Sequence, residues 1–401
     1  MNFKVDERKD VKKEFIKIYN EIKKRASGKH CNYNIIGVEI KLRRCAKNLT
    51  LAELAEDICS ISYLCKIEQS QIKASLANLN DFCSKLDIDD ETLNVLMKLD
   101  KELLNMVDSY FENDKENIEK IYLSGKHLKN YRYKIVELIY YIYNKNYDLA
   151  NEIICELNPI VNVLNDIDLL IYAIFYDILN FNFLNYNELY DELKYLPKVA
   201  LLTDNINYLI EILSIKCLLI MNRPLIVTKI DDLSNEFYKI SRFDLIDELR
   251  YFLSLYFLFN GEKEGFDTTK MLISKNSFKK DLNIFQKIIN EEKIDYFDLE
   301  DTDEFPYLLG LAKIDSEKSM DILNNRLDLI YLYGFNSEVI EYLTIKDTTD
   351  KYDYILLIAL PSFKASKNVL VGKYFAYELL KITKDTSKYK LFYQFHTELN
   401  F

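Results

Sequence analysis

Apolar residues recur along this chain at three- and four-residue intervals, the spacing that gives a helix one buried face. Residues 4–25 open the pattern, with Val11, Phe15, Ile18, Tyr19 and Ile22 on one side, and Ala26 to Asn34 reads as a loop. Four short helices follow between Ile36 and Leu86. The first leaves Ile40, Leu42 and Cys45 on an apolar edge. Leu49-Thr50 breaks it, and Thr50 is placed to N-cap a second helix, with Glu53 three residues on as a capping box requires. Leu51, Leu54, Ala55 and Ile58 continue that helix, and Cys59-Ser60 forms a turn. A third helix turns Tyr63, Leu64 and Ile67 inward and Ser60, Ser62, Cys65 and Lys66 outward. A fourth, from Ser75 to about Leu86, has Leu76, Leu79, Phe82, Cys83 and Leu86 on its inner face.

Beyond this head, Thr92 to Phe111 reads as a linking helix with a broad apolar face (Leu93, Leu96, Met97, Leu99, Leu103, Leu104, Val107). Helix pairs then succeed one another. The clearest runs from His127 to Pro159, where Tyr141, Tyr147 and Ala150 take the large and small positions of a tetratricopeptide-like hairpin. Polar turns recur at Asn144, Asn182–Asn187, Asn222-Arg223-Pro224 and Asn260–Gly265, roughly every 38 to 40 residues, somewhat longer than the ideal tetratricopeptide period. The acidic stretch Ile294 to Phe305 reads as an irregular junction. Shorter helices follow over 306–313, 316–325, 327–334 and 336–344, then 350–360 and 366–382, and a last one over Ser387 to Leu399.

The head carries a resemblance. Residues 36–86, and above all LAEDICSISYLCKIE, resemble the Xre/Cro/CI helix-turn-helix family in the version found in the RNPP group of peptide-responsive regulators. The resemblance implies an all-α protein: an N-terminal helix-turn-helix domain followed by a tetratricopeptide-like helical-repeat solenoid. It implies a DNA-binding domain over 34–90 and a peptide-binding and dimerisation domain over 114–401, to which the apolar pattern adds a basic helical extension over 1–30 and a linking helix over 91–113. The third helix would enter the major groove of double-stranded DNA, with Ser60, Ile61, Ser62 and Cys65 facing base edges and Lys41, Arg43, Lys47 and Lys66 meeting phosphates. Arg44 would pair with Glu68 as an internal structural ion pair. The sequence departs from the family at four positions: Leu51 replaces a Gln that contacts DNA, and Cys65, Ser70 and Ala74 replace the usual Ser, Gly and Pro.

Composition supports the helical reading, since 8 Gly and 5 Pro in 401 residues leave few breakers. The net charge of −11 is unevenly spread: residues 1–48 hold 14 Lys and Arg against 6 Asp and Glu, a local +8, which leaves −19 for the rest. A basic end on an acidic body is the asymmetry expected of a protein that meets phosphates at one end. The seven cysteines include no CxxC pair and read as reduced side chains of a cytoplasmic protein, with Cys65 a possible redox-sensing exception. The N-terminus is too charged for a signal peptide, and no apolar run spans a membrane. No Walker loop, GxGxxG, GxSxG or HExxH occurs, and the three His stand apart from other metal ligands, so no enzyme, metal or cofactor is implied.

The helical body would offer a groove to a short signalling peptide, as in quorum sensing. Candidate contacts on inner helices are Asn165, Tyr172, Tyr176, Asn205, Tyr208 and Arg250, because amides and hydroxyls can pair with a peptide backbone. A homodimer would set the spacing of two heads. Two rival readings are a Rap-like module that sequesters another protein without binding DNA, and a redox- or small-molecule-sensing repressor.

Overall fold

The computed structural model describes residues 2–27, 35–68, 72–88, 90–126, 130–199, 203–325 and 337–384. Every regular element among them is helical. The chain forms two compact units, Met1–Asn180 with Glu192–Ile210, and Phe181–Asp191 with Glu211–Phe401. The division therefore falls well after the expected domain boundary at 113.

The first unit contains α1 (Asn2–Ala26), α2 (Ile35–Ala46), α3 (Leu51–Ala55), α4 (Ile61–Glu68), α5 (Leu76–Leu86), α6 (Asp90–Glu112), α7 (Lys115–Gly125), α8 (Tyr131–Tyr143), α9 (Tyr147–Leu157) and α10 (Asp166–Asn180). Helix α1 carries the amphipathic pattern read from the sequence. Its apolar stripe is buried, with Phe15, Ile18, Tyr19 and Ile22 almost solvent-free, and it packs on α10 and on the turns at 158–163 and 196–198. The Tyr19 hydroxyl donates to Asp177, and Tyr176 donates to the Val11 carbonyl at 2.7 Å. Lys17 donates to the Asn158 carbonyl, Lys23 to Glu192, and Arg25 to Asp166 at 2.9 Å and to Glu21 at 3.1 Å. These three cations are occupied by the helical body, so the local charge of +8 overstates what a phosphate backbone would meet.

Helix α6 also belongs to this unit. It packs on α7 and α8, with Leu103, Met106, Val107 and Phe111 buried; the expected contacts of Leu93, Leu96, Met97 and Leu99 fall outside the described side chains. Helices α8 and α9 pack on each other as a hairpin. Lys145 adopts left-handed backbone (φ 57°), Asn146 accepts the Leu149 N–H, and Ala150, with no exposed surface, lets the helices approach. Asp168 ties the hairpin to α10 by accepting from Tyr131 at 2.9 Å and Arg132 at 2.8 Å.

The second unit begins at α11 (Tyr186–Leu193) and resumes within α12 (Asp204–Ile220). It continues through α13 (Leu225–Lys239), α14 (Phe243–Asn260), α15 (Lys263–Met271), α16 (Asn276–Ile289), α17 (Glu304–Ile314), α18 (Ser316–Asn325), α19 (Ser337–Thr344), α20 (Thr348–Tyr354), α21 (Leu360–Ser366) and α22 (Val369–Thr383). The expected turns are present. Asn222 and Gly261 take left-handed backbone (φ 53° and 73°), and the Asn222 and Asn260 side-chain amides exchange hydrogen bonds of 3.0 and 2.8 Å. The acidic junction is more ordered than its composition suggested: Asp295 and Asp298 form a reciprocal capping box around a 3-10 turn over Tyr296–Leu299. The expected helix at 350–360 is interrupted by a π turn, Ile355–Ala359, between α20 and α21. The helices expected over 327–334 and 387–399 lie outside the described residues. No described helix is long and apolar enough to cross a membrane.

One buried carboxyl links this unit to pH. Asp281 on α16 is fully buried; one oxygen accepts the Asp303 N–H at 2.8 Å and the other has no partner. Burial, with the charge of Asp303 nearby, pushes its carboxyl up to about 7. A folded-state value above the unfolded one means that its stabilising contribution is complete below about pH 4 and lost as pH rises to about 7. After allowance for water screening, the loss should be ~2 kcal/mol. Asp281→Asn keeps an acceptor for Asp303, so its unfolding free energy should be flatter than wild type between those pH values. Parallel slopes for the two proteins would contradict this.

Candidate functional site

The head is built around a small core of Ile40, Leu54, Leu64, Ile67, Phe82 and Leu86, contributed by α2 to α5. Thr50 caps α3 by accepting the Glu53 N–H at 3.2 Å, and the Glu53 carboxylate accepts the Thr50 N–H at 2.6 Å. That second bond holds the Glu53 carboxyl below its usual range. A tight passage over 56–60 leads into α4, where Ser60 accepts the Tyr63 N–H at 3.2 Å and so caps the helix. The Tyr63 hydroxyl accepts the Ser75 N–H at 3.3 Å, fastening the start of α5 to α4.

Arg44 and Glu68 lock α2 to the end of α4. Arg44 donates Nε to Oε1 at 2.6 Å and Nη2 to Oε2 at 2.8 Å, and its Nη1 donates to the Leu49 carbonyl at 2.8 Å. The fork-to-fork geometry fixes both distance and orientation. It fastens α4 by its C-terminal end, which leaves the N-terminal turn of that helix to face outward.

That outward face contains Ser60, Ile61, Ser62 and Lys66, all exposed, with Cys65 half-buried beside them. Ile61 is 51% exposed, unusual for so apolar a side chain in a head with so little core. Lys66 makes no ion pair with another described residue. The other three proposed phosphate ligands differ among themselves. Lys41 is half-buried. Arg43 pairs with the buried Glu39 at 2.8 Å. Lys47 donates to Asp87 at 2.6 Å and to the Lys85 carbonyl at 3.0 Å. Glu53, Glu56 and Asp57 line an open depression next to Ser60 and Ile61. Residues 35–88 carry seven Lys and Arg against seven Asp and Glu, so the head itself is neutral. Two apolar assignments from the sequence fail: Leu76, in the first turn of α5, is 78% exposed, and Cys45 is exposed on α2.

Of the six residues proposed for a peptide groove, five belong to the first unit and Arg250 to the second. Tyr172 and Tyr176 have no exposed surface, because α10 is buried between α1, α8 and α9. Asn165 caps α10 by accepting the Asp168 N–H at 2.7 Å. Asn205 donates to Asp108 at 2.9 Å, and Tyr208 stacks on Phe111 with ring centroids 5.6 Å apart. Arg250 lies in the second unit, donating to the Leu272 carbonyl at 2.8 Å and the Tyr238 hydroxyl at 2.6 Å. Sequence periodicity located inner helices but could not tell a groove wall from a core.

What sequence reasoning missed is a cavity in the second unit. About 230 Å³ of space is lined by Tyr251, Leu255, Phe285, Leu309, Val371 and Tyr374, among other apolar side chains. Ile288 and Tyr374 also border an adjoining polar pocket of about 600 Å³, with Lys313, Lys351, Glu291 and Glu378 in its wall. The lining residues come from α12, α14, α16, α17, α19, α20 and α22, and no local motif links elements so far apart in sequence.

No protein-family model matches the chain, and no curated protein matches it. Among solved structures, the chain is similar to the SHP pheromone receptor Rgg2 of Streptococcus dysgalactiae, with 18% identity over 76% of this chain and 98% of that one and a TM-score of 0.20.

Proposed function

We propose that this protein is a transcriptional regulator that binds duplex DNA through its helical head and is controlled by a short signalling peptide held in its helical-repeat body. The observation that carries the reading is the presentation of α4. A capped helix, a tight turn and a second capped helix are fixed to α2 by the Arg44–Glu68 fork, and the exposed turn carries Ser60, Ile61, Ser62 and Lys66. Such a face suits a major groove, with hydroxyls reading base edges, an apolar side chain against thymine methyls and an ammonium at phosphate. A homodimer would place two such faces about one DNA turn apart.

Lys66→Ala tests this. Titration of a labelled duplex from the region upstream of its own reading frame should show salt-sensitive binding by wild type. The variant should bind all sequences more weakly, and its salt slope should fall by about one. An unchanged slope, or no duplex binding at low salt, would remove the DNA reading.

The neutral charge of the head and the acidic depression beside α4 favour a second reading, in which the same face docks a basic protein surface, as in a Rap-like module. Co-purification of a protein partner that is lost on Ile61→Glu, with no duplex binding at any salt, would select it.

A further inference from the structure

The apolar cavity and the lysine-bearing pocket beside it form one amphipathic recess. The cavity wall is almost wholly side-chain hydrocarbon and aromatic ring. At about 30 Å³ per water-sized unit, its 230 Å³ admits about eight heavy atoms of an apolar chain, or two leucine-sized side chains. At its edge, shared through Ile288 and Tyr374, the surroundings change to charge. Glu291 and Glu378 are both held by Lys381, which reaches Glu378 at 2.9 Å. Glu292 accepts from the Asn290 amide at 2.8 Å. Lys313 and Lys351 are left without an ion pair to any described residue; the Lys351 ammonium lies 5.3 Å from the centre of the Tyr342 ring. Burial, and Lys351 beside it, hold the Lys313 ammonium below its usual range, and the nearby charges of Glu378 and Glu291 offset this only in part.

We propose that this recess binds a carboxylate that ends an apolar chain, with the chain in the cavity between α14, α16, α17 and α22 and the carboxylate between Lys313 and Lys351. Two sources carry that chemistry: the free C-terminus of an apolar peptide, and a medium-chain fatty acid. The inference deepens the regulator reading, because the peptide source would make the recess the effector site, but the binding claim stands without DNA.

The test uses the full chain without DNA. Isothermal titration is run with decanoate, with decanol, and with the hexapeptide Ser-Ala-Leu-Ile-Leu-Leu bearing a free or an amidated C-terminus. At least one carboxylate should saturate the protein and bind about tenfold or more tighter than its uncharged counterpart, the scale of one charge-assisted hydrogen bond. Lys313→Ala/Lys351→Ala should remove that preference while leaving binding of decanol or the amide unchanged. Val371→Phe should abolish binding of all four probes by filling the cavity; its folding is checked by thermal unfolding, and the lysine variant remains decisive if it does not fold. Preference for the free peptide over decanoate identifies the peptide source, and the reverse identifies the fatty acid. Equal affinity for acid and neutral probes, a preference that survives loss of both lysines, or no saturation by either carboxylate would overturn the proposal. Duplex titration of the ligand-free protein is read separately, so failure of the regulator reading and failure of this site are distinguishable.

Discussion

Glu68→Ala should cost the helical head about 3–5 kcal/mol and abolish any function that depends on the orientation of α4. The carboxylate is almost wholly buried, as is most of the Arg44 guanidinium, with 4% and 12% of the side chains exposed. Removing one partner of such a pair leaves the other charge desolvated and unmatched, which is far more damaging than replacing both. Here the damage is local. Arg44 would keep only its bond to the Leu49 carbonyl, and α4 would lose its fastening to α2. Because the core of the head is small, a penalty of this size approaches the whole stability of a domain of some 50 residues. The head should therefore melt before the body, visible as rapid amide hydrogen exchange over α2 to α5 with protection elsewhere unchanged. Arg44→Met/Glu68→Leu should recover much of the loss, since an apolar pair of similar volume removes the uncompensated charge. If Glu68→Ala alone leaves exchange over α4 as slow as in wild type, the fork does not hold the head.

Tyr19→Ala is expected to have a comparable effect on the body, about 3–5 kcal/mol from cavity formation. Tyr19 is almost fully buried between α1 and α10, and its ring lies 4.6 Å from that of Phe15. It also supplies the hydroxyl that Asp177 accepts. Asp177 has no exposed surface, and its second carboxyl oxygen has no partner. Burial raises its carboxyl well above the usual range, and the Tyr19 hydrogen bond opposes that only in part. The sign follows from linkage. A raised folded-state value gives a contribution complete below the unfolded value near 4 and lost as pH climbs toward the folded value. Asp177→Asn should flatten this part of the pH profile and retain an acceptor for Tyr19. Tyr19→Phe should fall between wild type and Tyr19→Ala, by about 1–3 kcal/mol, because it removes the hydroxyl and keeps the ring. Chemical unfolding of the four proteins at several pH values checks the order. A Tyr19→Ala protein as stable as wild type would show that α1 is not an integral part of the first unit.

Together these residues show what was legible in the chain. Local chemistry fixed the elements: Thr50 with Glu53, Asn146 before the helix at 147, and the near absence of Gly and Pro each dictate backbone geometry within a few residues, where sequence neighbours are spatial neighbours. The 3.6-residue stripe of Phe15, Ile18, Tyr19 and Ile22 likewise required a buried face. It could not say what would cover that face. Only the tertiary structure docked α1 on α10, because Asp166, Asp177 and Glu192 lie more than 140 residues from their partners, and so withdrew Lys17, Lys23 and Arg25 from the basic end that the charge count suggested. The same distance in sequence hid the burial of two of the proposed groove residues. Tyr172 and Tyr176 have the chemistry of ligand contacts, but α10 is buried on every side, and that is decided by which helices surround it. The lysine-edged cavity was invisible for the converse reason. Its walls are ordinary Leu, Ile, Val, Phe and Tyr positions from six helices, each indistinguishable in sequence from core until packing leaves a space between them.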